Sequence, residues 1–279
     1  MRRFAFLGPS TPARIPRGIT VLPPARQGDV WRALERKPVA IALIDGVFEH
    51  QPSVWHREIL DALAQGVTVF GAASMGALRV AELAPFGMRP VGAIAKAYCA
   101  GDRVDDADVA LLHADAAHRF RPLTVPLVDA EHAIARAARS RAVTPRQASA
   151  LRQAAQALHY TDRTWGRLTR EAEVLSERWR SFLLAGPPSL KQQDATLCLR
   201  ALAVARRRDA QGGWPPGSSF QRRARLVATG RAVPRPTTAE LAELKALAAK
   251  LAINPALDPS GLRGFAHRLL HDGLLTLSR

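Results

Sequence analysis

Three short, continuous apolar runs near the amino terminus constrain the fold of this chain more than any other feature. They span residues 4–7, 39–44 and 67–70, and each ends in a turn rich in Gly, Ala, Ser, Pro or Asp. Continuous apolar runs are typical of strands buried on both faces, as in a parallel sheet covered by helices. A helical pattern over 53–63 separates the second run from the third, which indicates a strand–helix–strand crossover. We therefore predict an α/β fold, with a parallel-sheet core and flanking helices over residues 1–126.

The remaining residues, 127–279, have a different pattern and predict an all-helical carboxyl-terminal region. Their Ala-, Arg- and Leu-rich segments have helical periodicity, with Pro and Thr at helix starts and Gly-Pro-Pro at a helix end. Residues 209–236 are rich in Gly, Pro, Ser and Arg and are predicted to form a long loop. The predicted helices are 127–141, 145–158, 162–184, 190–208, 237–251 and 259–275.

Positive charge is concentrated in this second region. Of the 279 residues, 40 are Lys or Arg and 24 are Asp or Glu, which gives a net charge of +16. Residues 1–126 carry 15 basic and 12 acidic side chains, whereas residues 127–279 carry 25 and 12. Such a surface suits an acidic protein or peptide partner, although solvated helix faces explain it equally well. No helix-turn-helix or RNA-binding signature is present, so we do not expect a nucleic-acid partner.

The composition also argues against several classes of protein. Two cysteines, Cys99 and Cys198, are too few and too far apart for a disulfide scaffold or a zinc site. No apolar run reaches the roughly 18 residues that a membrane span needs, and Phe4 to Leu7 is too short for a signal peptide. Neither a phosphate-binding loop nor a dinucleotide fingerprint is found. We expect a cytoplasmic, reduced protein that has no cofactor and no metal.

Polar residues follow the first two predicted strands where each strand ends. Gly8 and Ser10 follow the first, and Asp45, Gly46 and Glu49 follow the second. The carboxyl ends of parallel strands open on one edge of a sheet, which is where ligands bind in open α/β folds. We predict that these residues bind a substrate or partner, although Asp-Gly also has a simple role in forming turns.

Ser74 follows the third strand and is the candidate nucleophile. The sequence from Ala72 to Gly76, AASMG, differs from a G-x-S-x-G nucleophile elbow only by Ala in place of the first Gly. Such a turn exposes the serine and directs the helix amides near Met75 and Gly76 at a developing oxyanion. The alternative is that Ser74 only caps the next helix.

A serine nucleophile needs a base, and two residues are candidates. His56 lies near the start of the helix that follows Asp45, and Lys96 lies among Ile, Ala and Tyr, where partial burial would lower its pKa. An ordinary exposed histidine and a solvated lysine are the alternatives. Arg79 and Glu82 lie one turn apart on the next helix, and they either pair with each other or place Arg79 against a carboxylate or thiocarboxylate.

Several segments, taken in order, closely resemble the TfuA-like protein family. They are PPARQGDV at 23–30, IALIDGVF at 41–48, VWHREIL at 54–60 and GAASMGALR at 71–79. The resemblance covers roughly residues 4–135. The helical region is similar only to the more variable tail of such proteins.

The resemblance implies an accessory protein of YcaO-type enzymes, which activate a peptide backbone amide with ATP so that sulfur replaces its oxygen. Such a protein would take sulfur from a ThiS-like protein thiocarboxylate, dock on YcaO and act on the precursor peptide only indirectly. The implied hydrolase site is a serine–lysine pair. The serine corresponds to Ser74, but the family often has Lys where this chain has Arg57, and Lys96 is the nearest alternative.

Two functions therefore stay open at this point. One is a serine-dependent thiocarboxylate hydrolase that delivers sulfur for thioamidation. The other is a non-catalytic scaffold that recruits the peptide substrate to YcaO. The presence of Arg57, where the family often has lysine, favours the scaffold.

Overall fold

The computed structural model contains a five-stranded, fully parallel sheet in the order β2-β1-β3-β4-β5. It describes residues 1–47, 51–215, 217, 219–234, 237–239 and 242. The strands are β1 (Arg3–Phe6), β2 (Thr20–Leu22), β3 (Ala40–Leu43), β4 (Thr68–Gly71) and β5 (Arg89–Pro90). The predicted α/β class is confirmed. The edge strands β2 and β5 were not predicted; they have only three and two residues, and these are largely exposed.

Ten helices accompany the sheet in the described part of the chain. The first four are α1 (Asp29–Glu35), α2 (His56–Ala64), α3 (Met75–Leu83) and α4 (Ala93–Ala100). The others are α5 (Leu127–Arg139), α6 (Pro145–Ala157), α7 (Trp165–Glu171), α8 (Glu177–Leu184), α9 (Leu190–Val204) and α10 (Ser219–Ala228). No helix within these described bounds combines the length and apolarity needed to cross a bilayer.

Side chains of successive strand residues point to opposite faces of the sheet, and each face has its own helices. Phe4 and Phe6 pack in one core with α1, α2 and α3. Ala5 and Leu7 pack in a second core with α9. Because both faces are buried, the central strands are apolar at nearly every position, with Arg3 and Thr68 at strand starts as the exceptions, which explains the continuous runs in the sequence.

The helical region packs against the sheet, because its helix α9 covers one face of the sheet. Helices α5 to α8 surround a third core of their own. The chain then returns to the sheet, where Ala195, Cys198 and Leu199 of α9 are fully buried. Asp194 of α9 also accepts hydrogen bonds from the amides of Ala93 and Ile94, at 2.9 and 2.7 Å, and so caps α4. The proposed domain boundary at residue 126 stays a prediction.

Helix α10 lies inside the segment 209–236, where we predicted a long loop. Its residue Ala224 is buried in the core that contains α1, and Arg225 lies 3.4 Å from the Asp61 carboxylate. These contacts form only in the folded protein, whereas Gly, Pro and Ser in the flanking sequence indicated irregular structure. The predicted helix 259–275 and most of 237–251 lie outside the described residues.

The order of the strands reverses between β1 and β3, because the chain passes from β1 to β2 on one side and then to β3 on the other. Open α/β sheets bind ligands in the crevice at the carboxyl ends of the strands beside such a reversal. Residues that follow β1, β3 and β4 surround this crevice.

Candidate active site

Ser74 stands on a sharp turn between β4 and α3. Ala73, immediately before it, has a φ of 62°. This value lies in the left-handed region, which residues other than glycine avoid. Ser74 itself has φ of −129° and ψ of −125°, and is half-buried. Residues in such sparsely populated conformations concentrate at active sites.

Two glycines allow this turn to lie close to the sheet. A Cβ atom on Gly76 would lie 1.8 Å from the Leu43 carbonyl oxygen, and one on Gly71 would lie 2.3 Å from the Gly76 carbonyl oxygen. Neither position can hold a larger residue without moving the backbone. These glycines therefore bring the start of α3 against the end of β3, and with it Ser74.

The Ser74 side chain does not cap α3. Its hydroxyl makes no capping hydrogen bond, and the first turn is held instead by its carbonyl oxygen, which accepts from the Ala77 amide at 2.7 Å. The alternative that the Ser74 side chain caps α3 is therefore wrong. The hydroxyl faces a different partner.

That partner is Lys191, in the first turn of α9. Lys191 Nζ donates to Ser74 Oγ at 2.9 Å and to the Val109 carbonyl oxygen at 2.8 Å. The lysine is only 2% exposed. A buried amine in hydrogen-bond contact with a serine hydroxyl is the geometry of a serine–lysine catalytic pair.

Burial lowers the pKa of Lys191, because the charged ammonium loses its hydration. The negative charges of Asp45 and Asp129 act in the opposite direction and do not fully offset the effect of burial. A lowered pKa gives the amine a larger neutral fraction near neutral pH. Neutral Lys191 can accept the proton of Ser74, which is what a general base does.

Asp129 of α5 holds the start of α9 and thereby places Lys191. Its carboxylate accepts from Ser189 Oγ at 2.8 Å and from the Lys191 amide at 2.9 Å. Burial raises the pKa of Asp129, although these hydrogen bonds and the charge of Lys191 oppose the rise. The position of the Lys191 backbone therefore depends on a contact between two helices.

The structure brings together Gly8, Ser10 and Asp45, as the sequence predicted. The Asp45 carboxylate accepts from the Gly8 amide at 2.8 Å, the Ser10 amide at 2.9 Å and Ser10 Oγ at 2.7 Å. These bonds use the carboxylate to fix the loop after β1. Asp45 therefore shapes the crevice and contributes negative charge near Lys191.

Ser74 and Lys191 line a cavity of about 260 Å³. Its walls also include Asp45, Gly46, His113 and Tyr160. Gly46 must be glycine, because a Cβ there would lie 2.7 Å from the Met75 side chain. The cavity is therefore large enough for a chain terminus or a small acyl group but not for a folded domain.

One backbone amide near Ser74 is available for an oxyanion. We predicted that the amides of Met75 and Gly76 would serve, but the Gly76 amide donates to the Ile44 carbonyl oxygen at 3.2 Å. None of the hydrogen bonds among the described residues uses the Met75 amide. That amide lies at the amino terminus of α3, where the positive end of the helix dipole also favours a negative charge.

The other predicted site residues lie elsewhere. His56 Nε2 is 2.7 Å from Glu82 Oε2, and Arg79 Nη1 donates to the same oxygen at 3.0 Å. Burial raises the pKa of Glu82, but the contacts with His56 and Arg79 outweigh it and leave the pKa lowered. These three residues form a surface ion-pair cluster, and none of them lines the cavity with Ser74.

The two positions considered for the lysine also lie away from Ser74. Lys96 is exposed on α4. Arg57 lies 2.8 Å from the Asp61 carboxylate and donates to the Pro215 carbonyl oxygen at 2.6 Å. Glu49 lies outside the described residues.

Sequence reasoning missed Lys191, although one signal was available. Lys191 shares a face of α9 with Ala195, Cys198 and Leu202, which are fully buried. A lysine on an apolar stripe is either paired or functional once it is buried.

Within the described residues, no cluster of three or more His, Cys, Asp or Glu side chains is arranged to hold a metal ion.

Comparison with protein-family models gives a match over part of the chain. The family model described as TfuA-like protein matches residues 45–164. This range includes Asp45 and Ser74 but ends before Lys191. Among curated proteins, none matches the chain.

Proposed function

We propose that this chain releases sulfur for peptide thioamidation. Residues 45–164 match the family model of TfuA-like proteins, and this match suggests an accessory role in a YcaO-associated system. In this proposal the substrate is the thiocarboxylated carboxyl terminus of a ThiS-like donor protein. Ser74 is the nucleophile, and Lys191 is its base. The contact of 2.9 Å between Lys191 Nζ and Ser74 Oγ carries the proposal.

The acylation step uses both residues. Neutral Lys191 accepts the Ser74 hydroxyl proton while Oγ attacks the thiocarboxylate carbon, and the Met75 amide donates to the oxyanion. The C–S bond then breaks, and the sulfur takes the proton from Lys191 and leaves as hydrosulfide. The products are an acyl-serine and one hydrosulfide, and Lys191 is neutral again.

The size of the cavity supports a flexible chain terminus as the substrate. A space of about 260 Å³ admits the end of a polypeptide, whereas the body of the donor must stay outside. The excess positive charge of residues 127–279 suits an acidic donor or YcaO as the docking partner. Raising the salt concentration should then weaken the association.

The proposal is tested by incubating the protein with a thiocarboxylated ThiS-like protein and measuring sulfide. We expect Ser74→Ala and Lys191→Met to lower the rate of sulfide release by at least about a hundredfold. Lys96→Met is the matched control, because it removes an exposed lysine on α4, and it should release sulfide at the wild-type rate.

The scaffold alternative predicts a different result. If the wild-type protein binds YcaO tightly and releases no sulfide, the chain recruits substrate without catalysis. The observation that first favoured a scaffold was Arg57 in place of a family lysine. Lys191 now supplies a lysine at Ser74 from another part of the chain.

A further inference from the structure

We propose that His113 is a second catalytic base beside Lys191, whose Nε2 atom accepts a proton from the water that hydrolyses the acyl-serine. The inference rests on the proposed hydrolysis and adds the group that carries out its second step. His113 lines the same cavity as Ser74 and Lys191, on the segment that follows Val109.

The hydrogen bonding of His113 fixes which nitrogen is available. Nδ1 lies 2.7 Å from the Ala114 carbonyl oxygen, and a carbonyl can only accept, so Nδ1 carries the proton. In the neutral ring Nε2 is then an unprotonated acceptor. None of the hydrogen bonds among the described residues occupies Nε2.

The backbone on both sides of His113 is held in place. The Leu112 amide donates to Thr124 Oγ1 at 2.8 Å, and the Ala114 amide donates to the Arg121 carbonyl oxygen at 2.9 Å. The ring packs edge-on against Phe120, with centroids 5.7 Å apart. A base that is held in this way keeps its orientation through the reaction.

Lys191 is poorly placed to activate water by itself. Its Nζ atom lies between Ser74 Oγ and the Val109 carbonyl oxygen, and the side chain is only 2% exposed. Once Ser74 is acylated, water must approach from the cavity. His113 is half-buried on the wall of that cavity, so it can meet this water and exchange a proton with solvent.

The step balances without any further reactant. Water attacks the ester carbon while His113 Nε2 accepts one of its protons, and the bond from carbon to Ser74 Oγ then breaks. The second proton of the water passes through Lys191 to Ser74 Oγ. The donor leaves as a carboxylate, and His113 returns its proton to solvent.

Burst kinetics separate this step from acylation. With a thiocarboxylated ThiS-like protein in excess, we expect His113→Asn to release one equivalent of sulfide at the wild-type rate. Turnover afterwards should be at least about a hundredfold slower, with the acyl-enzyme visible by intact-protein mass spectrometry. Asn keeps an N–H that can reach the Ala114 carbonyl and removes the base.

His118→Asn is the matched control, because His118 is exposed on the same segment, contacts Asp115 and lies outside the cavity. It should turn over at the wild-type rate. If His113→Asn unfolds, His113→Gln replaces it, with the same expected burst.

Two outcomes with a folded His113 variant would overturn the inference. One is wild-type turnover without accumulated acyl-enzyme, and the other is loss of the burst itself. A wild-type protein that releases no sulfide would instead remove the proposed function.

Discussion

Lys191 Nζ lies 2.9 Å from Ser74 Oγ, although 117 positions separate the two residues in the sequence. The serine belongs to the turn after β4, and the lysine belongs to a helix that covers the opposite face of the sheet from α1, α2 and α3. The candidate site is therefore completed only when α9 packs against the sheet. The following predictions test what holds this arrangement together.

Replacing the buried lysine that faces Ser74 should not destabilise the protein. We expect Lys191→Met to have a free energy of unfolding equal to that of the wild type or up to about 2 kcal/mol higher, because burying an ammonium is costly. Asp45 and Asp129 keep their own hydrogen-bond donors in this variant. Urea denaturation measures the change.

Lys191→Ala serves as the comparison, because it also removes the charge but leaves a void. Its free energy of unfolding should be lower than that of Lys191→Met by about 2 kcal/mol or more. If Met were as destabilising as Ala, the buried charge would be stabilising the fold.

Gly76 should be intolerant of even one methyl group. In Gly76→Ala the Cβ would collide with the Leu43 carbonyl oxygen, and we expect a loss of more than about 3 kcal/mol. In Gly166→Ala the Cβ meets no atom within 4 Å on an exposed face of α7, so stability should rise by about 0.5 kcal/mol. Thermal and urea unfolding of both variants would show whether close packing at Gly76 holds the serine turn.

Removing the carboxylate that anchors α9 should be costly. Asp129→Ala leaves the Ser189 hydroxyl and the Lys191 amide without their acceptor, so the free energy of unfolding should fall by about 2–3 kcal/mol. Asp162→Ala breaks an exposed ion pair with Arg167 and should change stability by no more than about 0.5 kcal/mol. Equal effects of the two substitutions would contradict a special role for Asp129.

Stability should depend on pH through Glu58, which is fully buried. Its carboxylate accepts from the amides of Gly28, Val30 and Trp55, but burial outweighs these bonds and raises its pKa to about 7. The folded state thus holds a proton that the unfolded state releases above about pH 4.5. Stability due to this group therefore falls as the pH rises from about 4.5 to about 7.

Comparison with Glu58→Gln isolates this effect. The free energy of unfolding of the wild type, relative to Glu58→Gln, should fall by about 3 kcal/mol between pH 4.5 and 7. Glu35→Gln, which changes a surface carboxylate on α1, is the control. A plot of its free energy of unfolding against pH should run parallel to that of the wild type. A wild-type curve parallel to that of Glu58→Gln would show that Glu58 has an ordinary pKa.

Much of the sheet could be predicted because its signals are local. Continuous apolar runs indicated β1, β3 and β4, and the residues after them indicated the edge where the cavity lies. The edge strands β2 and β5 were missed because only pairing with a neighbouring strand makes them strands. Helix α10 was missed for the same reason, because contacts with residues distant in the sequence hold it against α1.

The sequence by itself determined the turn that carries Ser74, because strand, glycines and helix start are adjacent in the chain and act through the backbone. It also determined that Gly8, Ser10 and Asp45 would meet at one edge, since parallel strands share their direction. Only the tertiary structure decided which basic residue faces the serine. Lys96 is nearer in sequence yet exposed, whereas Lys191 reaches Ser74 because the apolar stripe of α9 is buried on the sheet, and that burial is also what lowers the pKa of its amine.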